Sequence, residues 1–454
     1  MPGFLSKLLR ILRERRGTDM RFLCRHLLSE RGEASQTALA EEIINTYKSM
    51  NSMQRRGFFE MLSREFSPDE AAINRAAADY RHKPDENRLA ALSAAVEAPR
   101  QELIRRINTA PRGTETLVAM REDLLKLSSD ATDLTALDAD LKHLLKSWFN
   151  RGFLRLERIS WQTSAAILEK LIRYESVHEI NGWSDLRRRL EADRRCFAFF
   201  HPALIDDPII FVEVALSKGL TSDLGPLLDI QAPLLAPEKV DAAIFYSINN
   251  CQHGLRGVPF GSFLIKQVVV ELAAEFPKIK TYATLSPLPQ FSRALRDRQN
   301  EQGFTHNRLS QLLEEYSPKL TAAAGDRDPV KALFRLLEKP LAHRDILAAP
   351  LERLALAYLT KVQKNKKIYD PVAVFHLSNG ARLERVNAFG NVRPYGLEAS
   401  FGLTVNYQYL LGDLEENHEQ FVRKGKIRVS DDLLPQQKIV EAAWEGTAEI
   451  NEIA

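Results

Sequence analysis

Apolar residues recur at helical spacing through the first third of the chain. The pattern is clearest in residues 117–127 and 134–148, where leucines and other apolar side chains follow one another three or four positions apart. Ser67, Pro68 and Glu70 form a helix-start pattern, with a serine cap, a first-turn proline and a glutamate three residues after the cap. No strand-like alternation precedes about residue 150. Residues 1–150 are therefore predicted to form an all-helical bundle.

Short segments rich in β-branched and aromatic residues replace this pattern after Phe149. The Asn379-Gly380 pair favours the positive φ of a hairpin turn and predicts that the flanking segments form a β-hairpin. Residues 151–454 are thus predicted to be α+β, with helices on a mixed sheet. The predicted strands are 196–200, 208–216, 242–247, 372–377, 381–387 and 403–410, and the predicted helices are 260–276, 307–316 and 330–337.

Composition narrows the class of protein. The 454 residues exceed what one core usually serves, and the net charge of +3 is too small for a typical nucleic-acid binder of this size. Three widely spaced cysteines fit a reduced compartment, so a cytoplasmic location is expected. The sequence contains no apolar run of about 18 residues, so no membrane-spanning helix is predicted. The histidines have no partner at ligand spacing, so no metal site is predicted.

A glycine-bearing loop connects a predicted strand to the helix predicted over residues 260–276. Gly254, Gly257 and Gly261 leave backbone N–H groups accessible, and the first turn of the helix adds its unpaired N–H groups. Such a loop suits a pyrophosphate, although the glycines can equally serve only the turn. The spacing matches neither a Walker A loop nor the dinucleotide-binding glycine pattern.

A serine and a histidine are the candidate chemical groups. Ser286 ends an apolar stretch, and Pro287 favours an extended conformation for it, but a Ser-Pro pair also opens ordinary turns. In a strand over residues 372–377, His376 shares one face with Val372 and Val374, where a histidine is either a core residue or a proton carrier.

Six segments, taken in order, resemble the malonyl-CoA decarboxylase family. The resemblance implies a helical bundle followed by an acetyltransferase-like catalytic domain. The segments are residues 145–161 (LKSWFNRGFLRLERISW), 243–248 (AIFYSI), 252–266 (QHGLRGVPFGSFLIK), 284–291 (TLSPLPQF), 375–381 (FHLSNGA) and 402–409 (GLTVNYQY).

The resemblance also implies the site and the reaction. Malonyl-CoA would lose carbon dioxide without any cofactor, with Ser286 and His376 as the catalytic pair. His376 is taken as the main proton donor, and the reverse division of roles between the two residues is the alternative. A homo-oligomer, with a tetramer suspected, is implied as well, and the helical domain would mediate it. Animal members carry a carboxylate in the thioester loop where this chain has Pro259, so no catalytic role passes to that position. The substrate-binding residues implied are Arg256, Gly257, Val258, Pro259, Phe260, Gly261, Ser262 and Tyr409.

Two other functions fit the same residues. An acyltransferase that moves acetyl from acetyl-CoA to an amine would use the same loop and would need a general base beside an acceptor pocket. A non-catalytic sensor or scaffold would bind coenzyme A thioesters without consuming them.

Overall fold

The computed structural model describes residues 19–30, 32–127, 134–258, 264–297, 299–364 and 367–445. The chain forms two compact units. The first, called here the helical unit, comprises Met1–Arg155, Phe199–Ile210 and Asn250–Phe260. The second, called the sheet unit, comprises Leu156–Ala198, Phe211–Asn249 and Gly261–Ala454.

The helical unit is built from amphipathic helices around one apolar core. Leucines at the predicted helical spacing, including Leu117, Leu124, Leu137 and Leu141, are almost wholly buried in that core. Burial of this stripe supplies most of the stability of such helices. The helices are α1 (Met20–Ser29), α2 (Glu33–Ser49), α3 (Ser52–Glu65), α4 (Glu70–His82), α5 (Glu86–Val96), α6 (Pro99–Asn108), α7 (Gly113–Leu127) and α8 (Thr135–Trp148).

The predicted cap of α4 is wrong by two residues. The N-cap is Asp69, whose carboxylate accepts a hydrogen bond from the N–H of Ala71. Ser67 instead donates to the Ser63 carbonyl and accepts a 3.0 Å hydrogen bond from Arg100. The serine hydroxyl therefore joins two helices, and the aspartate takes the capping role that both residue types favour.

The sheet unit contains a mixed sheet in the order β1-β2-β3-β4-β5-β10-β6, with β9 on the other side of β10. β4 and β5 are parallel from Ala242↔Thr281 to Phe245↔Thr284, whereas β10 is antiparallel to β5, β6 and β9. The strands are β1 (Arg155–Ile159), β2 (Arg194–Phe200), β3 (Pro208–Ser217), β4 (Ala242–Asn250), β5 (Thr281–Thr284), β6 (Ser286–Pro287), β7 (Gln363–Lys364), β8 (Lys367–Ile368), β9 (Arg382–Asn387) and β10 (Thr404–Gln408).

Helices and short turns connect the strands of this unit, and the predicted all-helical part followed by an α+β part with a mixed sheet is confirmed. No helix within the described ranges is long and apolar enough to cross a membrane. The helices are α9 (Ala165–Tyr174), α10 (Trp183–Arg189), α11 (Gly225–Leu228), α12 (Leu264–Glu275), α13 (Phe291–Arg296), α14 (His306–Leu313), α15 (Ser317–Ala324), α16 (Pro329–Leu336), α17 (Arg344–Thr360), α18 (Pro371–Ser378), α19 (Pro394–Ser400), α20 (Leu414–Lys424) and α21 (Leu434–Glu445).

The strand predicted over residues 372–377 is wrong, because this segment is helix α18. Asp370 caps the helix by accepting from the N–H groups of Val372 and Ala373, and Pro371 occupies the first turn. Cap and proline together outweigh the strand preference of the apolar segment that follows. Gly380 has the positive φ that Asn-Gly predicted, at +82°, but it links a helix to β9 rather than two strands of a hairpin.

Candidate active site

Ser286 lies within the sheet, in the extended conformation predicted from Pro287. Leu285 alone separates it from β5, and Pro287 extends the chain so that β6 pairs with β10. The partner of Ser286 across the pair is Val405. Because both strands are fixed by their neighbours in the sheet, the Ser286 hydroxyl is held on a rigid element rather than on a loop.

Helix α18 brings His376 to this serine. Its cap Asp370 is itself buried, and the Tyr358 hydroxyl donates to the second carboxylate oxygen at 2.9 Å. Burial raises the pKa of Asp370 to about 6, while the hydrogen bonds from Ala373 and Tyr358 act in the opposite direction. The cap thus fixes the start of the helix, and His376 follows in its second turn.

Three side chains form a continuous hydrogen-bonded row, called here the Ser286 row. His376 Nε2 is 3.0 Å from Ser286 Oγ, and His376 Nδ1 is 2.7 Å from the Tyr409 hydroxyl. The imidazole also stacks on the Tyr407 ring, with centroids 4.7 Å apart and planes 23° apart. Ser286, His376 and Tyr409, which the sequence placed ninety and more than thirty positions apart, therefore meet in space.

Burial sets the protonation states of the row. It lowers the pKa of His376 to about 3 and raises the pKa of Tyr409 well above its usual value. The imidazole is neutral and the phenol protonated at neutral pH. Tyr409 can therefore donate to Nδ1, which leaves the imidazole proton on Nε2, facing Ser286.

Thr284 extends the row on the serine side and was not singled out from the sequence. Ser286 Oγ donates to Thr284 Oγ1 at 2.9 Å, and that oxygen also accepts from the N–H of Tyr407 at 3.1 Å. Its position two residues before Ser286 could have identified it as a neighbour of the serine, because alternate residues of a strand lie on the same face. Asp370 was also missed, although Asp followed by Pro is an ordinary helix-start pattern.

The glycine loop belongs to the helical unit, whereas the Ser286 row belongs to the sheet unit. His253–Leu255 form a short 3₁₀ turn, and Arg256 and Gly257 follow it exposed to solvent. Val258 is buried. Pro259, Phe260, Gly261 and Ser262 lie outside the described residues.

Gly254 is required by close packing in this loop. A Cβ at this position would lie 1.9 Å from the Val118 carbonyl oxygen of α7, so the loop backbone rests directly on the helix. The loop is consequently shaped by the helical unit as well as by its own turn.

Replacing Gly254 with alanine is expected to lower the free energy of unfolding by about 1–3 kcal/mol, because the added methyl must push loop and helix apart. Urea denaturation measures the change. Gly57→Ala is the control, since Gly57 is exposed inside α3 with nothing within 4 Å of the added methyl. That substitution should be neutral or stabilise by up to about 1 kcal/mol. Equal effects at both positions would contradict the close packing at Gly254.

Comparisons with known proteins agree on one family. Residues 152–448 match the family model described as Malonyl-CoA decarboxylase C-terminal domain, and residues 66–149 match the Malonyl-CoA decarboxylase N-terminal domain. The solved malonyl-CoA decarboxylase of Agrobacterium vitis is 44% identical with a TM-score of 0.82, over 92% of this chain and 100% of that one. That of Rhodopseudomonas palustris is 42% identical with a TM-score of 0.80, over 91% and 98%.

A curated relative extends the likeness to animals. The protein named "Malonyl-CoA decarboxylase, mitochondrial" of Anser anser anser is 32% identical over 412 residues, which are 87% of this chain and 82% of that protein. With both domains matched in order and the fold shared along nearly the whole length, this chain belongs to the malonyl-CoA decarboxylase family.

Proposed function

We propose that this protein is a malonyl-CoA decarboxylase, a carboxy-lyase that converts malonyl-CoA into acetyl-CoA and carbon dioxide without a cofactor. The Ser286 row carries the proposal, because it places an oriented hydroxyl and an imidazole in a buried site of a chain from this family. In a low-dielectric site such groups interact with a developing charge far more strongly than they would in water.

Decarboxylation requires the protein to orient the substrate and to supply one proton. The bond between the malonyl methylene carbon and its carboxylate breaks, and the electron pair moves into the thioester carbonyl as an enolate while carbon dioxide leaves. The methylene carbon then takes one proton, which the protein regains from water. Since the thioester itself accepts the electron pair, the protein must orient the carboxylate, stabilise the enolate oxygen and deliver the proton.

Ser286 and His376 divide these tasks. All members of the row are buried, and we assign the contact with the malonyl group to Ser286, which lies at one end of the Ser286–His376–Tyr409 chain. The Ser286 hydroxyl contacts the malonyl group and gives its proton to the methylene carbon as it takes the Nε2 proton of His376. His376 Nδ1 takes the phenol proton of Tyr409 in the same relay, so the imidazole stays neutral, and Tyr409 regains a proton from water. Tyr409 holds the ring in the tautomer that makes this direction work.

The glycine loop of the helical unit is proposed to hold the coenzyme A part. β4 extends to Asn250, but it pairs with β5 only as far as Phe245. Only the first part of β4 is therefore paired with β5. We propose that the loop after β4 binds the substrate through Arg256, Gly257 and Val258. For Pro259 to Ser262, a substrate-binding role is proposed on the basis of the sequence alone.

The decisive experiment mixes the purified, metal-free protein with malonyl-CoA and follows acetyl-CoA and carbon dioxide. Equal formation of both products supports the proposal. Tight binding without products would favour a non-catalytic sensor, and acetyl transfer to an added amine would favour an acyltransferase. Either result would contradict the decarboxylase proposal.

A pH profile tests the state of His376. With a pKa of about 3, His376 is already neutral above pH 5, so kcat/KM is expected to change less than about threefold between pH 5.5 and 8. Burial raises the pKa of Asp370 to about 6 and that of Glu213 to about 7, so Asp370→Asn and Glu213→Gln must be run beside the wild type to identify any limb that comes from either carboxyl. A limb with its midpoint near 6.5 that persists in both variants would contradict a neutral His376.

Assembly and location complete the proposal. We place oligomerisation in residues 1–150 and catalysis in residues 151–454, with a tetramer expected from the family. Light scattering on the intact chain should give four times the 51.5 kDa chain mass, and a monomer would contradict this prediction.

A cytoplasmic location remains a prediction, while the printed name of the animal relative places that protein in mitochondria.

A further inference from the structure

We propose that the helical unit contributes directly to the coenzyme A site, with Lys142 of α8 binding a phosphate of the nucleotide and Arg121 of α7 orienting the loop beside it. This inference rests on the proposed function. It adds two residues from a part of the chain for which only an assembly role was predicted.

Arg121 anchors the glycine loop from below. The side chain is 2% exposed, and its guanidinium donates to the carbonyl oxygens of Gly254 and Arg256 at 2.7 and 2.8 Å. Asp138 accepts from Arg121 Nε at 2.8 Å and balances its charge. A buried arginine with these three partners fixes the orientation of two peptide groups in the loop.

The peptide group between Arg256 and Gly257 directs its N–H away from the buried Arg121. The carbonyl of Arg256 and the N–H of Gly257 belong to one planar trans peptide, so they point in opposite directions. Since Arg121 holds the carbonyl, the N–H of Gly257 faces away from the buried guanidinium. Within the described part of the chain nothing accepts a hydrogen bond from that N–H, and Gly257 is exposed.

Lys142 lies over the same glycine. A Cβ on Gly257 would stand 3.0 Å from Lys142 Nζ and 3.3 Å from its Cε, so the ammonium group lies close against the loop backbone at this glycine. Gly257 also has a φ of +76°, a conformation that other residues rarely adopt. The loop backbone and the lysine are therefore matched to each other.

Charge identifies the ligand as an anion. Lys142 and the neighbouring Arg256 are both exposed, and in the ranges that the structure describes no carboxylate forms an ion pair with either. An ammonium group and an outward backbone N–H on one glycine form a site suited to a phosphate. Coenzyme A carries a pyrophosphate and a ribose 3′-phosphate, whereas the acyl-pantetheine arm carries no charge at this end.

The test compares Lys142→Ala with the wild type on three substrates: malonyl-CoA, 3′-dephospho-malonyl-CoA and malonyl-pantetheine. The KM for malonyl-CoA should rise about tenfold, which corresponds to about 1.4 kcal/mol, with kcat within twofold. The KM for malonyl-pantetheine should stay unchanged. Lys142→Arg should restore most of the affinity. Lys48→Ala, which removes an exposed lysine from the last turn of α2, is the matched control and should leave both constants unchanged.

The dephosphorylated substrate shows which phosphate is bound. If its KM is insensitive to Lys142→Ala, the lysine binds the 3′-phosphate; if its KM rises as for malonyl-CoA, the lysine binds the pyrophosphate. An unchanged KM for malonyl-CoA, or an equal rise for malonyl-pantetheine, would overturn the inference. Should the wild type turn over no malonyl-CoA, the proposed function fails, and the Kd of coenzyme A by calorimetry still tests Lys142 by the same tenfold criterion.

Discussion

Replacing Ser286 with alanine is expected to lower kcat for malonyl-CoA about 10³-fold while the protein stays folded. The loss follows from the row: without the hydroxyl, His376 Nε2 has no group through which to reach the substrate. Proton transfer by positioned groups contributes about 10²- to 10⁴-fold to rates, and the orientation of the malonyl group is lost with it. The measurement is steady-state release of carbon dioxide, with circular dichroism to verify the fold.

His376→Gln should lose turnover to a similar extent, since the amide can fill the space but cannot relay a proton. Tyr409→Phe should lose less, about 10- to 100-fold, because the imidazole remains but its tautomer is no longer fixed. Ser292→Ala is the control. Ser292 is another buried serine, which accepts a hydrogen bond from Arg296 in α13, and its loss should leave kcat within twofold. Wild-type kcat in either the Ser286 or the His376 variant would remove that residue from the chemistry.

The helical first third was predictable because its determinants are local. A stripe of leucines at helical spacing must be buried, and Leu117 and Leu137 are indeed wholly buried in the core. The strands at residues 196–200 and 242–247 were equally clear, since their apolar, aromatic composition is typical of buried strands. These elements are confirmed as β2 and β4.

The error at α18 has a local cause too. The segment that contains His376 is short and apolar, and periodicity cannot separate a short buried helix from a strand. The information lay just outside it, in Asp370 and Pro371. The pairing of His376 with Ser286 came from family resemblance, and no feature of either segment alone predicts that they meet.

Long-range contacts set the limit of sequence reasoning at the glycine loop. The glycines and the helix after them could be identified in the sequence. Arg121, however, lies more than 130 positions before Arg256, and it reaches the Arg256 carbonyl only through the packing of the helical unit. Nothing near Arg121 in the sequence distinguishes it from a surface arginine. The same holds for Arg189 and Glu213 in the sheet unit, where two charged side chains are each only 2% exposed.

Arg189 is the centre of a second buried polar cluster. It ends α10 and donates to Asp185 Oδ1 at 2.9 Å, to Glu213 Oε2 of β3 at 2.8 Å and to the His178 carbonyl at 2.8 Å. Burial raises the pKa of Glu213 to about 7, even though the Arg189 charge opposes that rise. Glu213 can therefore stay charged in the sheet only while the guanidinium is in place.

Replacing Arg189 with methionine is expected to lower the free energy of unfolding by about 3–5 kcal/mol at pH 9, because the carboxylate of Glu213 is left buried without its counter-ion. Without Arg189 the folded pKa of Glu213 rises further above its usual value. A raised carboxyl pKa contributes stability at low pH that is lost as the pH rises through it, so the deficit of the variant should shrink between pH 9 and pH 7. Urea denaturation at the two pH values measures both effects, and His178, whose pKa burial lowers to about 3, is neutral at each of them.

Two further variants decide whether charge or packing is responsible. Arg187→Met removes an exposed arginine from the same helix, where it stacks on Trp161 at 5.1 Å, and should cost no more than about 1 kcal/mol. Adding Glu213→Gln to Arg189→Met removes the unpaired charge and should restore part of the lost stability. If the double variant is no more stable than Arg189→Met, and the deficit does not change with pH, the cost is one of packing. In that case the ion pair between Glu213 and Arg189 does not stabilise the fold.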